Sequence, residues 1–483
     1  MSTNRVKLLV ILVALLAGGA LLLTTKSFAT GSGSPGERHP LGVVSSSVLD
    51  DQLSAALRHH GFTGRVGSSM EQRLGRKIDN QLADLGRSLF HDTIVGLNDD
   101  NSCSGCHSAT AGFGDTQSIA IGVENNFIVG PGRKGPRNQR RTPMAVNTAL
   151  FPTLMWNSRF AALSFDPFDN SGGFIFPPPE GLSLSDKSHL LIAQAFIPPT
   201  ERVEAAGFDF PGDNFAIRAE VIRRINDVPE YRKLFGKIFP DVKAGAAVTY
   251  DMFAKAIAEF EFTLVFANAP IDRFARGEKN VLTDDQKRGA ILFFGAANCV
   301  SCHAVSGQSN EMFSDFREHV IGVPQIAPQP GNPAAGNVSF DGPGQNEDFG
   351  LEQVTGNPSD RYKFRTSPIR NVSLQPAFFH NGAFTKLEDA IRFHLNPAGQ
   401  APSYDPTAAA VATDLRGPTG PISPVLARLD AALTTPINLS NDEFRQLVEF
   451  LRNGLLDPKA RPENLRKLIP SRVPSGRPIQ TFQ

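Results

Sequence analysis

All four cysteines of this 483-residue chain fall into one pattern used twice: Cys103-Ser-Gly-Cys106-His107 and Cys299-Val-Ser-Cys302-His303. This spacing sets two thiols on one side of a short turn and an imidazole directly after them. It is the arrangement that attaches haem c: the thiols form thioethers to the vinyl groups, and the His supplies the proximal nitrogen to iron. A four-cysteine zinc site would have to join the pair beginning at Cys103 to the pair beginning at Cys299, and it requires no His after either. Two redox disulfides would also leave both histidines unexplained. The motifs therefore predict two covalent haem c groups on Cys103, Cys106, Cys299 and Cys302, with His107 and His303 as iron ligands.

The elements around these motifs look duplicated. Before the first, Leu74, Ile78, Leu82, Leu85 and Leu89 recur at helical spacing, predicting a helix from Glu71 to Phe90. Before the second, Thr283 and Gln286 form a capping box that opens a helix through Leu292. Both end in one frame, Gly86-Arg-Ser-Leu-Phe90 and Gly289-Ala-Ile-Leu-Phe293. A helix running into C-x-x-C-H is the opening of a cytochrome c domain. Further helices are expected over Phe215–Ile225 and Met252–Leu264, and no segment shows sustained strand alternation. The expected fold is mostly α: two cytochrome c-type haem domains with long Pro/Gly-rich loops at Phe165–Ser188, Pro324–Gly350 and Pro397–Pro424. The tail after Gly454 lacks periodicity and is expected to wrap the surface.

Composition narrows the class. The chain carries 48 basic and 48 acidic residues and no net charge, which argues against nucleic acid as a partner. Charged residues at 20% and hydrophobic ones at 41% exclude general disorder, and four cysteines exclude a disulfide scaffold. Arg5 and Lys7 precede an apolar run from Leu8 to Leu23 and a small-residue cleavage site after Ala29, as in a secretory signal peptide. The alternative for this run is a retained membrane anchor. Either address places the working chain outside the cytoplasm, in the periplasm, and Gly31–Gly36 reads as a flexible linker. The expected division is signal or anchor over 1–29, linker and N-terminal extension over 30–70, haem domains over 71–268 and 269–455, and a tail over 456–483.

Several stretches resemble the bacterial dihaem cytochrome c peroxidases, a superfamily that includes the methylamine-utilisation dihaem enzyme. They are Leu85-Gly-Arg-Ser-Leu-Phe-His-Asp92, Arg141-Thr-Pro-Met-Ala-Val-Asn147, Met155-Trp-Asn-Ser-Arg159, Gln194-Ala195 through Glu204, Phe364 to Asn371, and Phe379 to Ala390. They cover roughly residues 70–455 in family order, more specific than the two haem motifs alone. The resemblance implies an N-terminal haem that is the peroxide site and a C-terminal haem that receives electrons from a small donor protein. It implies that Trp156, the only Trp, lies between the haems; that Glu204 is the distal acid, with Pro198 in register; and that Gln194 is a distal amide hydrogen-bonding the ligand. A carboxylate near iron suits the proton transfers of peroxide cleavage.

Two departures from the family pattern bear on the site. Many members carry a distal His after the first motif, yet no His lies between His107 and His189, and Ser118–Asn126 also lacks Met. An open first iron is expected. The family's calcium ligand before Pro143 is replaced by Arg141, with Asn138 nearby, so an interface calcium would rest on carbonyls near Gln375 and Ala377. For the second haem, no Met follows Met312, and His394 occupies the family's ligand position on a helix opened by Thr385 and Glu388. Leu387, Ala390, Ile391 and His394 share one face of that helix, and His380 is the competing ligand.

The expected activity is reduction of hydrogen peroxide to water with electrons from a reduced cytochrome c or cupredoxin, as a monomer or a homodimer. The alternatives are a dihaem oxidase of a protein substrate, whose known relative has Tyr where His394 stands, and a non-catalytic dihaem electron carrier.

Overall fold

The computed structural model describes residues 45–483 except positions 177, 330, 331, 333, 335 and 337. The expected signal segment and the Gly31–Gly36 stretch lie outside the described residues. The fold is mostly helical. Its strands are two-residue pieces in three ladders: 128–129 parallel to 481–482, and two antiparallel pairs, 153–154 with 160–161 and 318–319 with 364–365. No helix among the described residues is long and apolar enough to cross a membrane.

Two apolar cores organise the chain, one around Leu89, Phe90, Phe253 and Phe260, the other around Phe293, Leu387, Leu447 and Phe450. Each is built on a helix crossing made possible by glycine. Asn80–His91 crosses Tyr250–Phe262 at Gly86, where a Cβ would stand 1.8 Å from the Ala256 carbonyl oxygen. Asp284–Phe294 crosses Asn441–Glu449 at Gly289, where a Cβ would stand 2.0 Å from the Gln446 carbonyl oxygen. No side chain fits either contact, so the shared Gly of the two frames is a packing requirement. One turn on, Phe90 meets Phe260 and Phe113 edge-on at 5.2 and 5.9 Å, and Phe293 meets Phe450 and Phe313 edge-on at 5.7 Å each. The duplication read in the sequence is a duplication of packing.

Local structure differs from expectation in three places. The helix expected over Glu71–Phe90 is two helices, Met70–Leu74 and Asn80–His91. Gly75 takes φ 68° and ends the first, and Asp79 caps the second by accepting from the amides of Gln81 and Leu82. Leu74 and Ile78 kept the apolar rhythm across a break that only backbone conformation reveals. The Thr385–Glu388 capping box does not form: the helix is Leu387–Leu395, the Thr385 hydroxyl donates to the Ala409 carbonyl, and Glu388 pairs with Arg452. Residues 45–70 of the expected N-terminal extension carry regular structure. Ser46–His59 is a helix that buries Leu49, Leu53 and Leu57, and Asp50 pairs at 2.7 Å with Lys287, so it joins the second core.

The Thr283–Gln286 capping box is present, and the other two expected helices run Asn214–Asn226 and Tyr250–Phe262. Each long loop is held by an arginine. Arg73 and Arg218 take Asp166 and Glu180 at 2.8 and 2.9 Å, Arg140 takes Asp348 at 2.6 Å, and Arg137 takes Asp414 at 2.7 Å. The tail does wrap the fold, and it ends beside the first cysteine motif. There the Gln480 amide accepts from the Ser102 hydroxyl at 3.0 Å and donates to the Asp100 carbonyl at 3.1 Å.

Candidate dihaem site

The two C-x-x-C-H motifs line two separate cavities, of about 350 Å³ and 220 Å³. In both, the chain closes a tight turn, with the His107 amide donating to the Cys103 carbonyl at 2.8 Å and the His303 amide to the Cys299 carbonyl at 2.9 Å. Nδ1 of His107 lies 3.0 Å from the Phe113 carbonyl and Nδ1 of His303 lies 2.9 Å from the Phe313 carbonyl. A carbonyl only accepts, so Nδ1 carries the proton and Nε2 keeps its lone pair. The acceptor residues Phe113 and Phe313 both sit at positive φ, 55° and 58°, which aims each carbonyl back at its imidazole. Burial lowers the pKa of both rings, that of His303 to about 4 with nearby His394 as the second cause, so both are neutral, as metal ligation requires.

His394 lies on the helix Leu387–Leu395. Leu387, Ala390, Ile391 and His394 all line the second cavity. Its Nδ1 lies 2.9 Å from the Ala390 carbonyl one turn back, again leaving Nε2 unprotonated. The ring centres of His303 and His394 are 6.2 Å apart. Two metal–imidazole bonds of about 2 Å, each extended by about 1.1 Å to the ring centre, give roughly the same separation. His380 also lines this cavity, but it is stacked at 3.6 Å and 7° on Phe364.

The first cavity brings together Gln194, from the Leu190–Gln194 helix, and Glu204, from a π-turn over Arg202–Ala206, with Cys103, Cys106 and His107. Enclosure pushes the Glu204 carboxyl up to about 7, neighbouring Glu201 adds to the shift, and Arg159, which pairs with Glu201 at 2.8 Å, opposes it. His107 is the only His among the described residues lining this cavity. His189 is fully buried elsewhere with both ring nitrogens engaged, Nε2 at the Ala149 carbonyl and Nδ1 at the Leu191 amide. Trp156 is 9% exposed, lines both cavities, and donates from Nε1 to the Arg141 carbonyl at 2.8 Å.

Sequence reasoning gave no role to several lining residues, among them Glu261, Met155, Met144 and Arg365. Glu261 adds a second buried carboxyl to the first cavity; burial pushes it up to about 8, and its Oε2 has no hydrogen-bond partner. Met155 lines the first cavity, and Met144 and Arg365 line both. Only Glu261 left a signal, a Glu in the apolar Phe260–Leu264 run.

The residues fit two covalent haems. All four thiols are free, each pair opens onto a cavity, and each cavity receives an imidazole nitrogen with its lone pair available. They do not fit an interface calcium. A guanidinium nitrogen of Arg141 donates to the Ala377 carbonyl, one of the oxygens such an ion would need, and the remaining nearby contact is to the Asp115 carbonyl. A fixed cation on a ligand oxygen is incompatible with a divalent ion that takes six to eight oxygens.

Comparison with known proteins agrees with this chemistry. The family model described as di-haem cytochrome c peroxidase matches residues 80–280. Cytochrome c551 peroxidase of Pseudomonas aeruginosa is 27% identical over 377 residues, 78% of this chain and 84% of that protein. Cytochrome c551 peroxidase of Nitrosomonas europaea is 27% identical, covering 65% and 74%. The methylamine utilization protein MauG of Methylophilus methylotrophus is 24% identical, covering 76% and 88%. In fold, the chain is similar to a MauG-like protein associated with microbial copper homeostasis, with TM-score 0.55, 22% identity and coverage of 82% and 92%. Sequence matches to both peroxidases and MauG proteins, spanning most of either chain, make this chain similar to the di-haem cytochrome c peroxidases.

Proposed function

We propose that the protein is an exported dihaem peroxidase that reduces hydrogen peroxide at its first cavity with electrons received at its second, one haem domain over 71–268 and the other over 269–455. The overall change is H2O2 + 2 e⁻ + 2 H⁺ → 2 H2O, the electrons coming one at a time from a small reduced donor, a cytochrome c or a cupredoxin. The observation that carries the reading is Glu204 and Gln194 sharing one cavity with His107 and, among the described residues, no second imidazole.

When bound through the cysteines, the haems supply redox-active iron and the site of O–O cleavage. Glu204 does the proton work: its carboxylate takes a proton from one peroxide oxygen and returns it to the other as that oxygen leaves as water. Gln194 donates its amide N–H to the peroxide and holds it in reach of that carboxylate. The Phe113 carbonyl fixes the ring of His107, and His303 and His394 hold the second haem. Trp156, lining both cavities, provides an aromatic intermediate position for electrons passing between them.

The deciding experiment is peroxide-dependent oxidation of a reduced donor cytochrome by the purified dihaem protein. Stoichiometric oxidation of two donors per peroxide is expected. Donor oxidation that requires a second protein as final electron source would favour a protein-substrate oxidase, and none at all a carrier.

Two predictions follow from the same geometry. The first haem is high-spin in the resting, fully oxidised protein, which is active without prior reduction. Paramagnetic resonance showing only low-spin haem would contradict this and make Met155 the ligand to test. Second, a calcium chelator leaves both haem spectra and turnover unchanged, because Arg141 already holds the Ala377 carbonyl. Activity lost to chelation and restored by calcium would overturn that assignment.

A further inference from the structure

Six arginines are buried among the described residues: Arg133, Arg137, Arg141, Arg218, Arg365 and Arg370. Three have carboxylates, Arg137 with Asp414, Arg218 with Glu180 and Arg370 with Asp272. Arg133 fills its fork with the carbonyls of Ile121, Ile128 and Gly122 and the Asn101 side chain. Arg141 and Arg365 have neither solution. Each is 4% exposed, and neither forms an ion pair with a described carboxylate.

Their hydrogen bonds are few. Arg141 donates to the carbonyls of Ala377 and Asp115, and its buried Nε has no partner. The Asp115 carboxylate is turned elsewhere, accepting from the amides of Thr142 and Gln117. Arg365 donates from Nε to the Met155 carbonyl at 2.9 Å and makes a long 3.4 Å contact to Thr366, with its guanidinium 5.5 Å from the Phe316 ring centre. Burial pulls both guanidinium pKa values down to about 10, outweighing the opposing charge of Asp115 on Arg141 and of Glu318 on Arg365, neither of which is close enough to pair. A buried charge lacking its counter-ion is among the costliest features a fold can carry.

Position says where the missing anion belongs. Among the described residues, four line both cavities: Arg141, Met144, Trp156 and Arg365. The two arginines are tied to the Trp between them. The Trp156 indole donates to the Arg141 carbonyl at 2.8 Å, and the Arg365 amide donates to the Trp156 carbonyl at 2.8 Å. This wall therefore presents two unpaired cations to both cavities around one indole.

We propose that Arg141 and Arg365 are the receptors for the carboxylates of the two haems, so that both cofactors turn an anionic edge toward the wall that holds Trp156. The inference rests on the dihaem reading above. Each haem carries two propionates, and planar guanidinium forks bind carboxylates bidentately. The arginines are positioning residues: they orient the cofactors about Trp156, and as fixed cations they favour the reduced, more negative state of both.

The test is spectroelectrochemical titration of both haems in wild type, Arg141→Gln and Arg365→Gln, after counting covalent haem. Removing either cation is expected to lower both midpoint potentials, each by about a tenfold change in the oxidised-to-reduced ratio at fixed poise, about 59 mV for a one-electron couple. Arg→Lys at either position, which keeps the charge and loses the fork, is expected to restore part of the shift. Two haems per chain with unmoved potentials in both Gln variants would overturn the proposal while leaving the dihaem reading intact. A wild-type protein without covalent haem would sink that reading itself. Should the Gln variants fail to load haem, redox-difference infrared spectra of wild-type protein with ¹³C/¹⁵N-arginine decide. Arginine bands that change as each haem is reduced support the assignment, and their absence at both steps defeats it.

Discussion

Glu204→Gln is expected to keep both haems and lose about 100- to 10,000-fold in peroxide turnover, the usual contribution of a positioned general acid–base. The substitution preserves shape and the backbone contacts of the turn, including the 2.7 Å bond that the Glu204 carbonyl accepts from the Asn101 side chain. It removes only the group that can take and return a proton. Because enclosure and Glu201 hold this carboxyl up to about 7, it is largely protonated at pH 6 and largely ionised at pH 8. The ionised form accepts the peroxide proton, so wild-type turnover should climb as pH rises through about 7. That limb should vanish in the variant. Glu261 is the built-in control, since it too lines the cavity with a raised pKa, about 8. If Glu261→Gln abolished turnover and Glu204→Gln did not, the proton-transfer role would belong to Glu261.

What the sequence made readable was mostly what repeats. Gly86 and Gly289 were legible as one shared frame, and the structure supplies its reason: each lets a carbonyl approach where any Cβ would clash. Phe90 and Phe293 marked the same ring cluster beside each motif histidine, at 6.2 Å from His107 and 6.4 Å from His303. Leu387, Ala390, Ile391 and His394 were legible as one face because helical spacing alone dictates it. The break at Gly75 was hidden, since apolar spacing carries no record of a left-handed φ. The Thr385 box was misread because a capping pattern competes with tertiary partners, here the Ala409 carbonyl and Arg452. Glu261, Arg365 and Met144 reach the cavities through long-range packing, and no local pattern in a single sequence encodes that. Arg141 was noticed only as a departure from a calcium ligand, and its unpaired burial became visible in three dimensions.

The second large effect belongs to His394. Replacing it with Gly is expected to convert the second haem from low-spin to high-spin while leaving the first haem's spectrum nearly unchanged. Three observations single it out. Its ring centre lies 6.2 Å from that of His303, its Nδ1 proton is committed to the Ala390 carbonyl, and its ring is stacked on Phe379 at 5.1 Å, which fixes its plane. The rivals are worse placed. His380 is held flat against Phe364, so His380→Gly should leave the spin state alone. Met144 does line the second cavity, but its sulfur packs against Gly112, where an added Cβ would come within 2.8 Å of it. A bis-imidazole iron has a lower potential than a His/Met iron, because thioether sulfur favours the ferrous state. His394→Met should therefore raise the second haem's potential by a tenfold or greater change in the redox ratio, about 59 mV or more. It should also introduce a methionine-to-iron charge-transfer band at the red end of the visible spectrum. Finding that band in the oxidised wild type would sink the His394 assignment, because the sulfur of a methionine such as Met144 would then already occupy the position.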